Sequence, residues 1–132
     1  MRQEEMKLYL DRCRRFWRRC EPDLFIESIP VRAEFARTAE PVDERLKLEY
    51  KPIEIGEDWG EAWDSAWFHL QADLPEAWAG REIAMQLNLS GESLIFNNDG
   101  TPMFALTGNS VINANYTKDI CQFPKSFQLG GR

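Results

Sequence analysis

The chain has 132 residues and a mass of 15.4 kDa, enough for one domain whose core does not depend on disulfides or a structural metal. Its 43% apolar and 29% charged residues exclude a disordered chain, and no apolar run is long enough for a membrane span or a signal peptide. Residues 1–20 carry seven Lys and Arg against three Asp and Glu, whereas the other residues carry nine against nineteen. That acidic body disfavours polyanions, so we expect no nucleic-acid partner. Because the sequence shows neither a membrane span nor a signal peptide, we expect a cytoplasmic protein with no membrane partner.

The first predicted element is an amphipathic helix over residues 4–20. Its apolar side chains recur at alternating steps of four and three and form one stripe of Met6, Leu10, Cys13, Trp17 and Cys20. Pro22 ends the helix, and Arg12, Arg15 and Arg19 occupy the opposite face. This basic face could bind an anionic partner, but a solvated face, or one docked on the acidic body, is the favoured interpretation.

Two of the three cysteines lie in this predicted helix. Cys13 and Cys20 are seven residues apart, which separates their Cα atoms by about 10 Å and puts them beyond disulfide reach. Cys121 lies far away in the sequence. All three are therefore expected to be reduced thiols, which agrees with a cytoplasmic location.

Residues 1–22 are predicted as the helical segment and residues 23–132 as a β-domain. The first part of that domain, 23–57, contains three prolines and indicates extended chain with one or two strands. Alternation of side chains predicts strands at 66–73 and 82–90. The second of these is the clearest strand, and its core face carries Ile83, Met85, Leu87 and Leu89.

A hairpin is predicted next in the chain. Two short apolar runs, 93–97 and 101–105, flank Asn98, Asp99 and Gly100, which are residues that tolerate positive φ. Strand signals from residue 107 to residue 123 are weak, because the segment is polar and rich in asparagine.

Residues for catalysis are scarce in this sequence. The single histidine, His69, excludes a multi-histidine metal site, and its place in a strand favours a packed or surface residue over a base. Neither a phosphate-binding glycine loop nor a Gly-x-Ser-x-Gly motif occurs. Carboxylates are clustered between residues 57 and 64, but their spacing singles out no acid and nucleophile pair. No catalytic residue and no metal site are predicted.

Four of the five tryptophans lie between residues 59 and 78. Trp67 and Trp78 are predicted to be core residues from their positions in and after a strand. Trp59 and Trp63 lie in a loop with glycine and acidic residues, where an exposed indole could stack on a sugar ring. Burial is the favoured interpretation of both.

A second group of candidate ligand residues lies in the hairpin turn. Asn97, Asn98 and Asp99 could ligate calcium or bind sugar hydroxyls, although the same residues are typical turn formers and the turn is favoured. The candidate carbohydrate site consists of Trp59, Trp63, Asn97, Asn98 and Asp99.

The order of several short motifs resembles a known enzyme family. They are WDSAWF at 63–68, LPEAWAGR at 74–81, LNLSGE at 87–92, NDGTP at 98–102 and ALTGNSVINANY at 105–116. This ordered set, within residues 50–123, is similar to the N-terminal region of bacterial-type glycoside hydrolase family 38 α-mannosidases. The resemblance implies a mainly β fold, a galactose-binding-like jelly-roll β-sandwich, preceded by one helix.

In that family the sandwich lies ahead of a catalytic barrel that holds zinc, its ligands and the nucleophile. None of these residues has a counterpart here, so the resemblance implies a non-catalytic accessory domain that packs beside a catalytic domain, or shapes its substrate cleft. The chain alone is expected to be inactive and to need no cofactor, since zinc belongs to the catalytic domain. Its expected partners are that domain, in a longer parent protein, and mannose-containing glycans.

The chain ends at Arg132, before the family's sandwich would be complete, and is therefore expected to be truncated. Exposed sheet edges in such a sandwich favour self-association. Two alternatives remain open. One is a free-standing carbohydrate-binding module, and the other is an interaction domain that acts through helix 4–20.

Overall fold

The computed structural model describes residues 2–108 and 118–123. The chain divides into two compact units, Met1–Pro30 and Val31–Arg132. Within the described residues, no helix combines the length and the apolar character needed to cross a membrane. The predicted truncation at the C-terminus lies outside these residues.

The first unit is built around the predicted helix. Helix α1 spans Gln3–Cys20 and passes into a 3₁₀ turn at Glu21–Asp23, in which Pro22 ends the α-helical hydrogen bonding. The Glu5 carboxylate accepts the Arg2 N–H at 3.2 Å at the N-terminal end, and arginines occupy the last turn, where they complement the helix dipole. No residue of α1 is buried.

The second unit is mainly β, as predicted. Its described residues form seven strands, which are β1 (Arg32–Arg37), β2 (Lys51–Ile53), β3 (Ala66–Gln71), β4 (Ile83–Gln86), β5 (Glu92–Phe96), β6 (Pro102–Thr107) and β7 (Ile120–Phe123). They form three antiparallel sheets, with the orders β2-β1-β3, β4-β7 and β5-β6. Two short 3₁₀ helices, Val42–Lys47 and Glu76–Trp78, lie in the connections.

The clearest predicted strand is shorter than expected. Strand β4 ends at Gln86 rather than at residue 90, because Gln86 is the last residue registered with β7. The chain stays extended beyond it, since the Leu87 N–H donates to the Asp119 carbonyl at 2.7 Å. The alternation itself is confirmed, because Leu87 and Leu89 are half-buried while their neighbours are exposed.

The predicted hairpin is confirmed. Strands β5 and β6 pair from Glu92 opposite Thr107 to the turn that follows Phe96. Of the three turn residues expected to tolerate positive φ, only Gly100 adopts it, at 90°. The weak strand region predicted at 107–123 falls partly outside the described residues, and its described end forms β7.

The core of the second unit is thin. Among the described residues, the buried hydrophobic side chains are Ala36, Leu106 and Cys121. Aromatic pairs connect the strands, including Phe35 with Phe68 at 6.0 Å between centroids and Phe104 with Phe123 at 6.1 Å.

The three cysteines differ in burial. All three are free, as predicted. Burial raises the pKa of the Cys121 thiol, whose Sγ donates to the Met85 carbonyl at 3.6 Å.

Candidate functional site

A tight turn immediately before β3 places Trp63 in solvent. The Asp64 N–H donates to the Glu61 carbonyl at 3.1 Å, so Trp63 is the third residue of a four-residue turn, and its φ is 72°. A positive φ at this position alone is typical of a type II turn, where glycine is the usual residue. For a residue with a Cβ this backbone costs about 1–2 kcal/mol. The Trp63 side chain is nevertheless fully exposed, at 101%.

The side chain of Asp64 holds this turn in place. Its Oδ2 accepts the Glu61 N–H at 2.6 Å and pairs with Nη2 of Arg37, the last residue of β1, at 2.7 Å. Gly60 makes the close approach possible, because a Cβ at this position would lie 2.9 Å from the same oxygen. The turn is therefore fixed to the end of β1, the central strand of the β2-β1-β3 sheet.

Trp59 lies only four residues away but points inward. Its Nε1–H donates to the Leu89 carbonyl at 3.0 Å, and its ring meets Phe68 edge to face at 5.5 Å. It is half-buried and has a packing role. Burial, which the sequence favours for both loop tryptophans, is therefore wrong for Trp63, which is fully exposed because none of the described elements covers the tip of its turn.

The two tryptophans predicted to lie in the core are both half-buried. Trp67 donates its Nε1–H to the Glu40 carbonyl at 2.7 Å and packs on Phe96, with 5.3 Å between ring centroids. Trp78 closes the 3₁₀ helix Glu76–Trp78. Trp67 also lines a groove at this surface.

The turn between β5 and β6 uses its polar side chains internally. The Thr101 N–H donates to Oδ1 of Asn97 at 2.9 Å and to Oδ1 of Asp99 at 2.8 Å, and the Thr101 hydroxyl donates to the same Asp99 oxygen at 2.6 Å. The hydroxyl hydrogen bond is the main cause that lowers the pKa of Asp99. These bonds are those of turn-forming residues, and the turn interpretation is confirmed.

The five residues of the candidate carbohydrate site are not all on one surface. Trp59, Asn97 and Asn98 line a half-open groove of about 630 Å³, together with residues of β3, β4 and β5. Trp63 and Asp99 are not part of its lining. The Asn98 carbonyl accepts Nη2 of Arg45 at 3.0 Å, which ties the hairpin turn to the 3₁₀ helix Val42–Lys47.

The remaining candidates for acid–base chemistry have structural or surface positions. His69 is exposed, and its Nδ1 lies 3.5 Å from the Glu34 carboxylate, opposite it in the β1–β3 register. The Glu57 carboxylate accepts the Glu54 N–H at 2.8 Å. In the part of the chain that the structure describes, no group of three or more His, Cys, Asp or Glu could hold a metal ion.

Sequence reasoning missed two residues that organise these turns. Arg37 and Arg45 each reach a turn distant in sequence, at Asp64 and Asn98 respectively. The sequence offers one local signal for the first of these turns, which is Gly60. Glycine is required there because the Asp64 carboxylate lies where a Cβ would be too close.

Comparison with known proteins gives a consistent result. Residues 27–123 match the family model described as the jelly roll domain of α-mannosidase, of the Ams1-like type. The matched range runs from before β1 to the last residue of β7. It confirms the predicted jelly roll and the predicted resemblance to α-mannosidases.

The individual relatives that match the chain are also α-mannosidases by name. The chain is 33% identical to human α-mannosidase 2C1 over 67 residues, which cover 51% of this chain and 6% of that protein. It is 31% identical to mouse α-mannosidase 2C1 over 86 residues, which cover 64% of this chain and 8% of that protein. It is 40% identical to α-mannosidase G of Dictyostelium discoideum over 53 residues, which cover 40% of this chain and 5% of that protein. The matches thus span less than a tenth of these relatives, and no solved structure matches the chain.

Proposed function

Because the chain belongs to the family of α-mannosidase jelly roll domains, we propose that it is a non-catalytic accessory domain that packs beside a catalytic domain and shapes its substrate cleft. The observation that carries this proposal is the extent of the family match, which includes every described strand of the second unit. The activity itself belongs to proteins more than ten times as long as the matched segments.

The chemistry of the described residues supports a non-catalytic role. Asp64 and Asp99 are engaged in turns, and His69 lies exposed on a strand beside Glu34. The described residues also lack a donor set that fits the zinc ion expected of the catalytic domain. Under this proposal the metal and the reacting carboxylates come from the catalytic domain.

Hydrolysis of a chromogenic α-mannoside tests the first half of the proposal. The purified chain, assayed with added Zn²⁺ or Co²⁺, is expected to give the rate of the blank. Turnover that increases in proportion to protein concentration would contradict a non-catalytic role.

A replacement experiment tests the second half. Deletion of the matched 86-residue segment from mouse α-mannosidase 2C1 is expected to abolish activity, and insertion of the corresponding segment of this chain to restore part of it. An unrelated β-sandwich of similar size is the control for spacing. A deletion variant as active as the intact enzyme would show that the segment does not shape the cleft.

A free-standing carbohydrate-binding module is the second candidate, and the fully exposed Trp63 favours it. The two functions differ in affinity. A free-standing module needs a complete site, so we expect it to bind oligosaccharides more tightly than an accessory domain that supplies only one wall of a cleft. Titration of the chain with manno-oligosaccharides separates them.

A further inference from the structure

We propose that Trp63 contacts the carbohydrate directly, by stacking its indole on the apolar face of a pyranose ring of an α-mannoside. This inference rests on the proposed function and names the ligand for which the domain supplies a cleft wall. It assigns the contact to one turn, Glu61–Asp64, and not to the groove lined by Trp59.

The first observation is the complete exposure of a large aromatic side chain. Trp63 is 101% exposed, whereas Trp59 is half-buried and hydrogen-bonded to Leu89. A tryptophan can bury some 150–250 Å² of surface, and the described fold recovers none of this area for Trp63. The area is therefore available to a ligand.

The second observation is the conformation of the Trp63 backbone. Its φ of 72° is one that glycine adopts without strain, and the indole has no intramolecular packing that would offset the strain. Backbone strain that no packing contact of the residue offsets is typical of residues at functional sites. Glycine would lack the side chain, in which the Cβ causes the strain and the indole is the group that can contact a ligand, so we take the indole as the functional part.

The third observation is that the turn is held before any ligand arrives. Asp64 bonds the Glu61 N–H at 2.6 Å and Arg37 at 2.7 Å, and Gly60 leaves room for its carboxylate. A fixed turn presents the indole in one place, so less conformational freedom is lost on binding.

The surroundings of Trp63 favour a sugar over a protein partner. Protein interface anchors lie within apolar patches that are depleted in charge. Here the residues on either side of Trp63 in the chain are Ala62 and Asp64, and the nearby Asp58 and Glu61 are exposed. An aromatic plane beside carboxylates offers a pyranose both a stacking surface for its C–H face and acceptors for its hydroxyls.

Saturation-transfer NMR on the full chain tests the proposal, with methyl α-mannoside and α-mannobiose as the probes. Transfer from the protein to the ring protons of the sugar is expected, with a dissociation constant on the order of 10 mM. In ¹⁵N spectra the Trp63 indole signal, assigned from Trp63→Ala, is expected to shift with sugar while the other four indole signals stay in place. Mannitol, which has the hydroxyls but no ring face, is expected to cause no shift.

Three variants distinguish stacking from a general effect of the loop. Trp63→Ala and Trp63→Gly are both expected to lose the saturation transfer, and the glycine suits the backbone of the turn, so its loss is not due to misfolding. Ile55→Ala is the matched control, because Ile55 is also apolar, 101% exposed and in the same acidic segment. It is expected to bind like the natural chain.

Two results would overturn the proposal. One is a Trp63 indole signal that does not move with sugar. The other is a signal that moves on dilution of the protein alone, which would make Trp63 a contact between copies of the chain. Neither result affects the hydrolysis or segment-replacement experiments, so the accessory-domain proposal would stand or fall separately.

Discussion

Two turns of the second unit meet the same backbone requirement with different residues. The turn Glu61–Asp64 places Trp63 at a φ of 72°, and the turn between β5 and β6 places Gly100 at 90°. In the hairpin turn, glycine removes the strain and the polar side chains bond within the turn. In the other turn, a strained tryptophan extends into solvent.

This difference separates a connecting turn from a candidate binding turn. Both segments contain residue types that are common in ligand sites. In the hairpin turn, Asn97 and Asp99 direct their side-chain oxygens at Thr101, so forming the turn uses these hydrogen-bond acceptors. In the turn before β3, the local bonds are made by Asp64, which leaves the indole of Trp63 uncommitted. The group that remains after local bonding is the one available to a ligand.

The largest effect on stability is expected from Gly100→Ala. A Cβ at this position meets the Arg45 guanidinium at 3.4 Å, in a backbone conformation that disfavours it. We expect the free energy of unfolding to fall by about 2 kcal/mol, as measured by urea denaturation. Gly91→Ala is the control, because a Cβ there meets no atom within 4 Å. Equal losses in the two variants would contradict the role given to the Gly100 backbone.

Gly60→Ala is expected to cost about 1 kcal/mol, because its Cβ would lie 2.9 Å from Oδ2 of Asp64 and displace that carboxylate from Glu61 and Arg37. A double-mutant cycle gives the sharper test. With Asp64→Ala in place, the carboxylate is gone and only the Cβ of residue 64, 3.1 Å from the new Cβ, stays in close contact, so adding Gly60→Ala should cost less than it does in the natural chain. Additive effects would show that Gly60 serves another purpose.

The alternation that packs the sheet was predictable, whereas the identity of the exposed tryptophan was not. Ile83 to Leu89 show their core face in the sequence, because side chains alternate along any extended strand. The partner of β4 is β7, more than thirty residues later, and a local pattern carries no register between distant strands.

The same limit applies to the candidate site. Trp59 and Trp63 have similar neighbours in sequence but differ in burial. The difference depends on contacts with Phe68, Leu89 and Arg37, which lie outside the loop. Long-range contacts therefore decided which indole is buried, and no local pattern contains them.

Trp63→Gly is expected to change the free energy of unfolding in the opposite direction from Gly100→Ala, and by a smaller amount. Removing the strained Cβ recovers about 1–2 kcal/mol, and the greater freedom of glycine in the unfolded chain offsets part of this gain. The expected result is a stabilisation of about 0.5–1 kcal/mol by urea denaturation, whereas Trp63→Ala, which keeps the Cβ, gives no such gain. A destabilised glycine variant would mean that the indole supports the fold, and the contrast between the two turns would disappear.

The smallest effect is expected from Asp99, on the free energy of unfolding at acidic pH. The Thr101 hydroxyl lowers the pKa of Asp99 below its ordinary 3.8, so the folded protein binds this proton more weakly than the unfolded chain does. The resulting stabilisation is present above the pKa of the unfolded chain and is lost as the pH falls through the lower pKa of the folded state. Asp99→Asn should remove this loss, and Thr101→Val should reduce it, in urea denaturation curves recorded below about pH 4. If Asp99→Asn instead runs parallel to the natural chain over that range, Thr101 does not hold the Asp99 carboxylate in solution, and the hairpin turn has an acceptor to offer a ligand after all.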